Sequence, residues 1–258
     1  MILNKIFVIF DPTTDTQPAF QRGLQSAHMT GARLHLYACL ADANAAREVQ
    51  GRLDILAKHC RDQGVEAELE VEAAVDWSEQ AVRAAARCSA SLVFKSSFEH
   101  SDVDREKRPT SDFTLLRLSP CPVLLVKDLH DWSSRRVLAA INSQASDEAH
   151  GRLNNLIISL AQNFSDAYGS DAHFVSAYAD ANNPPQVAEL SARCGAPEEL
   201  IHVVRGGAAE VIASKAEELD VDLVIIGTVG RSGIKGRVVG NTAEKILDHT
   251  GADILVVN

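Results

Sequence analysis

An internal repeat constrains this chain more than any other feature of it. Lys5-Ile-Phe-Val-Ile-Phe-Asp11 matches Arg136-Val-Leu-Ala-Ala-Ile-Asn142 at an offset of 131 residues. Cys121-Pro-Val-Leu-Leu-Val-Lys127 and Ala252-Asp-Ile-Leu-Val-Val-Asn258 stand at the same offset, as do Ser91-Leu-Val-Phe94 and Asp222-Leu-Val-Ile225. Between these anchors, Gly31 to Asp42 matches Gly169 to Asp180 at an offset of 138, so the second copy is longer before this stretch and shorter after it. Recurrence at a fixed spacing marks a repeated structural unit. The 258 residues are therefore expected to form two copies of one unit, 1–128 and 135–258, joined near Leu129 to Ser134.

Each copy alternates apolar strands with helical segments. Strands are expected near 5–11, 33–41, 67–73, 91–96 and 121–127, and again near 135–142, 171–178, 200–205, 222–228 and 253–258. Continuous apolar runs such as Asp222-Leu-Val-Ile-Ile-Gly227 suit strands covered on both faces. Ala209 to Leu219 sets Val211, Ile212, Lys215, Ala216 and Leu219 at helical spacing, with the lysine stem packing and its head reaching water. Strand–helix alternation predicts an α/β protein of two tandem doubly wound domains, each a parallel sheet with right-handed crossovers and helices on both faces.

Composition narrows the setting. The net charge of −10 opposes a phosphate backbone and argues against general nucleic-acid binding, though not against one local anion site. No apolar run approaches the ~18–20 residues that span a bilayer, so no membrane insertion is expected. Met1 to Phe10 lacks a basic region and a small-residue cleavage site, and reads as a strand. A cytoplasmic location follows as the expectation. The five cysteines (Cys39, Cys60, Cys88, Cys121, Cys194) are odd in number and without C-x-x-C spacing, the pattern of reduced, buried thiols.

Glycine separates the two halves. Four of the fifteen lie in the first 128 residues, and five of the remaining eleven crowd into Gly227 to Gly240. In an open parallel sheet, ligands bind outside the carboxyl ends of the strands, at the switch point. The glycine-rich segment begins at that end of the second copy's fourth strand. Asn241 or Thr242 can cap the helix that follows, whose free N–H groups suit an anion. Arg231, Lys235 and Arg237 add positive charge within an acidic chain. The segment fits neither G-x-x-x-x-G-K-[ST] nor G-x-G-x-x-G. A phosphate loop and a plain surface loop both remain open on physics alone.

Here the sequence resembles the universal stress protein family, whose nucleotide-binding pattern is G-x2-G-x9-G-[ST]. Gly227, Gly230 and Gly240 match it, with Asn241 where Ser or Thr is usual and Thr242 one step later. The run Gly227 to Gly233, with Gly240-Asn-Thr-Ala-Glu244, is similar to tandem E-type members, as is Leu115 to Lys127 at the end of the first copy. The resemblance implies a five-stranded sheet of order 3-2-1-4-5 in each domain, and a pseudo-dimer of the two domains through their last strands. It implies a stress-response regulatory protein that binds an adenine nucleotide, ATP or AMP, in its second domain. A homodimer or other stress proteins are the protein partners it implies. Gly227, Thr228, Gly230, Arg231, Gly240, Asn241 and Thr242 would face phosphate or ribose, Asn142 would stand at the end of the first strand, and Ala177 would give the adenine contact. The family usually carries Asp where Asn142 stands, which puts a Mg²⁺ requirement in doubt. The first copy keeps Asp11 but has Phe94-Lys-Ser-Ser-Phe-Glu-His100 in place of the glycines, so it is expected to be a degenerate site, with the Phe and Glu of that stretch obstructing phosphate.

No catalytic constellation is evident. Ser232 has no His–Asp pair placed beside it by sequence, and His249 reads as solvent-facing. His100, Asp102, Asp104 and Glu106 read as a solvated loop rather than a metal site, and Trp77 and Trp132 as isolated packing aromatics. At most weak nucleotide hydrolysis is expected. The alternative is a non-nucleotide scaffold, or a binder of a lipid-like small molecule, acting through the first domain.

Overall fold

The computed structural model describes residues 3–97, 111–127, 132, 136–145, 147–228, 246 and 250–258. The chain divides into two compact units, Ile2–Leu129 and His130–Asn258.

The first unit runs β1 (Lys5–Ile9), α1 (Pro18–Thr30), β2 (Arg33–Leu40), α2 (Ala46–Asp62), β3 (Ala67–Ala73), α3 (Trp77–Arg87), β4 (Leu92–Ser96), α4 (Ser111–Leu118) and β5 (Val123–Val126). All four strand pairings are parallel, in the order β3-β2-β1-β4-β5. The second unit runs β6 (Arg136–Ala140), α5 (Glu148–Tyr168), β7 (Asp171–Tyr178), α6 (Val187–Cys194), β8 (Ile201–Arg205), α7 (Ala208–Glu218), β9 (Leu223–Gly227) and β10 (Asp253–Val257). Its order is β8-β7-β6-β9-β10, again all parallel. Each unit is thus a five-stranded sheet with its first strand in the centre. Several strands stop one or two residues short of the apolar runs that announce them, because the last residues of those runs carry the chain off the sheet toward a helix.

Local chemistry explains where the helices begin and end. Pro18 opens α1 with φ already helical. The Asp76 carboxylate caps α3 by accepting from the Ser78 and Glu79 amides at 3.1 Å each. Gly31 and Gly169, one of the matched pairs in the repeat, close α1 and α5 in the left-handed region, with φ of 71° and 60°.

Alternation sorts side chains between the two faces of each sheet. Val8, Leu34 and Phe94 face α1, where Gly23 lets the helix down onto them: an added Cβ would lie 2.9 Å from Val8 Cγ2. Phe94 is fully buried there. It is a core residue beneath α1, as its match to the buried Ile225 in the repeat implies. On the opposite face Phe7 stacks on His35 with ring centroids 5.3 Å apart. Beside it, Arg87 of α3 bonds Glu70 and Glu72 of β3 at 2.5 and 2.7 Å.

The aromatics and thiols depart in part from expectation. Trp132 is not isolated: it packs on Tyr168 at 4.8 Å and Phe164 at 6.0 Å, and donates to the buried Asp253 carboxylate at 2.9 Å. All five cysteines are free, but only Cys60 and Cys194 are buried and the other three are half-buried. Burial pushes the Cys60 and Cys194 thiols up to about 11 and Cys121 up to about 12, so none of these is a ready nucleophile.

Candidate functional site

In a sheet of this order the crossovers leave the first strand in both directions, and the crevice opens between the carboxyl ends of the first and fourth strands. In the second unit these are β6 and β9. Their ladder pairs Ala139 with Ile225. The ladder ends there, and the continuation of its register points Ile141 and Asn142 toward the side of Gly227 and Thr228. The sequence therefore brings Asn142, Gly227 and Thr228 to one crevice.

Each strand end is held firmly. The buried Asn154 side chain of α5 accepts from the Asn142 amide at 3.0 Å and donates to the Asn142 carbonyl at 2.8 Å. Both backbone groups that leave the sheet at Asn142 are thus satisfied by one carboxamide. The Thr228 amide donates to the Val257 carbonyl at 2.7 Å. Ser143 and the buried Ser176 share a hydroxyl hydrogen bond of 2.6 Å, which ties the loop after β6 to β7.

Ala177 lies within β7, opposite Val204 of β8. The neighbouring Tyr178 carbonyl bonds toward the β8 side, to the Gly206 amide, so strand alternation turns the Ala177 N–H and C=O toward β6. The last bond on that side is the Ile141 amide to the Val175 carbonyl at 2.9 Å. Ala177 therefore presents its backbone to the crevice just past the end of the ladder, as a main-chain contact to a planar base requires.

Gly227 has a different reason to be glycine than its sequence position suggested. Its φ is not in the left-handed region. A Cβ there would lie 2.5 Å from Leu153 Cδ2 and 3.0 Å from Ile157 Cδ1, both on α5. The missing side chain makes room for Leu153 and Ile157 of the helix. The first unit shows the contrast. Ser96 occupies the matching position, and its hydroxyl accepts from the Ala19 amide in the first turn of α1 at 3.1 Å. Helix α5 has 21 residues against 13 in α1, and its extra turns carry Leu153 over Gly227.

The matching strand end of the first unit has its own network of side-chain contacts. Gln17 clamps Asp11 as Asn154 clamps Asn142, accepting from the amide at 3.1 Å and donating to the carbonyl at 2.7 Å. The Asp11 carboxylate accepts from the amide and hydroxyl of Thr13. Arg52 of α2 lies over the Phe10 ring at 4.8 Å and donates to the Pro12 and Thr14 carbonyls.

Gly230, Arg231, Gly240, Asn241 and Thr242 lie outside the described residues, as do Glu99, His100, Asp102, Asp104, Glu106, Ser232, Lys235, Arg237 and His249. Ile246 is helical and buried, as its place in an amphipathic helix requires. Among the described residues, no three His, Cys, Asp or Glu side chains converge as metal ligands, and no helix is long and apolar enough to cross a membrane.

Two pairs escaped the sequence reading. Asp147 caps α5 by accepting from the His150 amide at 3.0 Å, and its second oxygen meets His150 Nδ1 at 2.5 Å. These bonds, the backbone one first, hold the Asp147 carboxyl below the usual range. The signal was present in the sequence as an Asp-Glu start to a long apolar-periodic run, the pattern of a capped helix. The second pair is His173 of β7 and His202 of β8. Their rings stack at 5.3 Å, with Nδ1 of the first 3.0 Å from Nε2 of the second.

Comparison with known proteins fits this geometry. The sequence profile of the universal stress protein family matches residues 133–258. Universal stress protein E of Salmonella typhi is 26% identical over 98% of this chain and 94% of its own length. The chain belongs to the universal stress protein family. Its likeness to the E-type relative spans both units. A solved structure, the functionally unknown protein PA1789 of Pseudomonas aeruginosa PAO1, superposes with a TM-score of 0.85 at 26% identity, covering 99% of this chain and 92% of that one. A universal stress protein from Archaeoglobus fulgidus DSM 4304 shares the fold, with a TM-score of 0.77 at 14% identity over 99% of this chain and 96% of that one.

Proposed function

We propose that the second unit binds an adenine nucleotide, ATP or AMP, and that the protein acts as a nucleotide-responsive regulator. The observation that carries the reading is the place of the motif in the fold. The G-x2-G-x9-G segment starts at Gly227, where β9 ends beside the carboxyl end of β6, at the switch point of the sheet. In this reading Gly227, Thr228, Gly230, Arg231, Gly240, Asn241 and Thr242 surround phosphate and ribose. Asn142 lines the crevice floor, and the Ala177 main chain meets the base. The neutral Asn142 side chain gives a divalent metal a weaker hold than a carboxylate, so nucleotide binding is expected not to require Mg²⁺. The first unit takes no part, since Phe94 to His100 stands there in place of the glycines.

Calorimetric titration with ATP and AMP tests this. The wild-type protein binds with one site per chain, and Gly240→Val abolishes binding while leaving the thermal melt in place. Gly240 is the better position to change, because a side chain at Gly227 strikes Leu153 whether or not a nucleotide binds. Equal affinity in both proteins, or none in the wild type, rejects the reading.

A further inference from the structure

Three consecutive residues beyond β6 are each held by a different part of the second unit. The last strand bond here runs from the Ile141 amide to the Val175 carbonyl. Past it, the N–H and C=O of Asn142 are both met by buried Asn154, in the second turn of α5, at 3.0 and 2.8 Å. Fixing the directions of these two groups fixes the Cα between them, and with it the direction of the Cα–Cβ bond. Ser143 and Gln144 are tied in turn, to Ser176 of β7 and to the Asn183 carbonyl. Asn142 itself is exposed, and among the described residues its carboxamide has no hydrogen-bond partner. A backbone held still thus presents one open side chain that can both donate and accept. Gln17 does the same for the backbone of Asp11, but from the residue before α1. Two side chains at different helix positions reach the same pair of backbone groups, so the strand-end geometry, and not a shared local motif, is what both units keep. They differ in what the held residue offers: the Asp11 carboxylate is bonded to Thr13, and the Asn142 carboxamide is open.

We propose that Asn154 is a positioning residue of the second unit: by fixing the backbone of Asn142 it aims the Asn142 carboxamide into the crevice before a nucleotide arrives. This rests on the nucleotide reading given above, and adds to it a buried residue that stands behind the contact and makes none itself. Binding then orders no backbone at this strand end, and the affinity that such ordering would cost is retained.

The test is a double-mutant cycle on affinity for whichever of ATP and AMP binds the wild-type chain more tightly. It is measured by calorimetry on the full chain, with thermal melts taken first. Ordering one residue's backbone at the moment of binding corresponds to about a tenfold change in affinity. Asn154→Leu is expected to weaken binding about tenfold in the parent chain, and less than about twofold in an Asn142→Ala background, where the side chain it aims is gone. A merely structural role weakens binding equally in both backgrounds. Asn154→Ser leaves room for water to reach both backbone groups and replaces the leucine variant if that one does not fold, with a smaller loss and the same dependence on Asn142. Equal losses in both backgrounds, or none in either, overturn the role of Asn154 and leave the nucleotide site standing. Unchanged affinity in Asn142→Ala alone does the same. Absence of binding of either nucleotide by the wild-type protein overturns both.

Discussion

Lowering the pH should loosen the second unit selectively, because the same histidine meets opposite partners in the two copies. His35 and His173 are matched in the repeat. His35 bonds Glu70 of the neighbouring strand at 2.8 Å, and His173 bonds His202 at 3.0 Å. The His35 pair becomes an ion pair on protonation. The His173 pair must place a charge beside a second imidazole. Burial is the main cause that pushes His202 down to about 4, with His173 and the Lys215 ammonium adding to it and Glu218 opposing. Burial likewise lowers His173, with Arg136 reinforcing and Asp171 opposing.

A base held neutral in the fold but titrating near 6.5 when unfolded binds more protons in the unfolded state between those two values. Stability is therefore intact above about pH 6.5 and declines as pH falls toward 4. His202 alone should remove about 2 kcal/mol between pH 7.5 and 5, a figure that follows from the difference in proton uptake. The chain offers a clean readout, since Trp77 belongs to one unit and Trp132 to the other. In a Trp77→Phe background, urea unfolding followed by fluorescence reports on the environment of Trp132. Its unfolding free energy is expected to fall by about 2 kcal/mol over this pH range, and by less than half of that in His202→Gln. Loss of less than 0.5 kcal/mol in the parent, roughly the error of such extrapolations, or the same loss in His202→Gln, refutes the argument.

Other outcomes follow from packing and backbone satisfaction. Gly227→Ala forces Leu153 aside and should cost about 1–3 kcal/mol. Adding Leu153→Ala should recover part of that, as a coupling energy in a double-mutant cycle. Asn154→Leu strands two backbone groups at Asn142 and should destabilise the second unit by about 2–3 kcal/mol in urea unfolding. Gly169→Ala places a side chain at φ 60° and should cost about 1 kcal/mol by the same measurement.

The repeat made the architecture readable before any coordinate. Strict strand–helix alternation, matched anchors such as Gly31 with Gly169, and apolar runs such as Leu223 to Ile226 left little choice but two parallel sheets. The site was readable only in outline. A glycine signature shows that side chains are absent without showing what fills the room. At Gly227 that is Leu153, from a residue 74 positions earlier, and only tertiary packing reveals it. Asn154 was hidden because it acts through a helix face that two extra turns bring to the strand end, and helix length is poorly marked in sequence. His202 was missed since its significance arises only across a strand pair.

The contact between Gly227 and Leu153 bears on how such a signature is inherited. A glycine kept by a neighbouring helix answers to folding, and selection for folding continues even if a ligand is lost. After a duplication, the opening glycine of the motif can outlast nucleotide binding for as long as the long helix stays above it. Where the helix is shorter, as in the first unit, the matching position carries a serine instead. The later glycines of the segment are the better record of whether a descendant still holds its ligand.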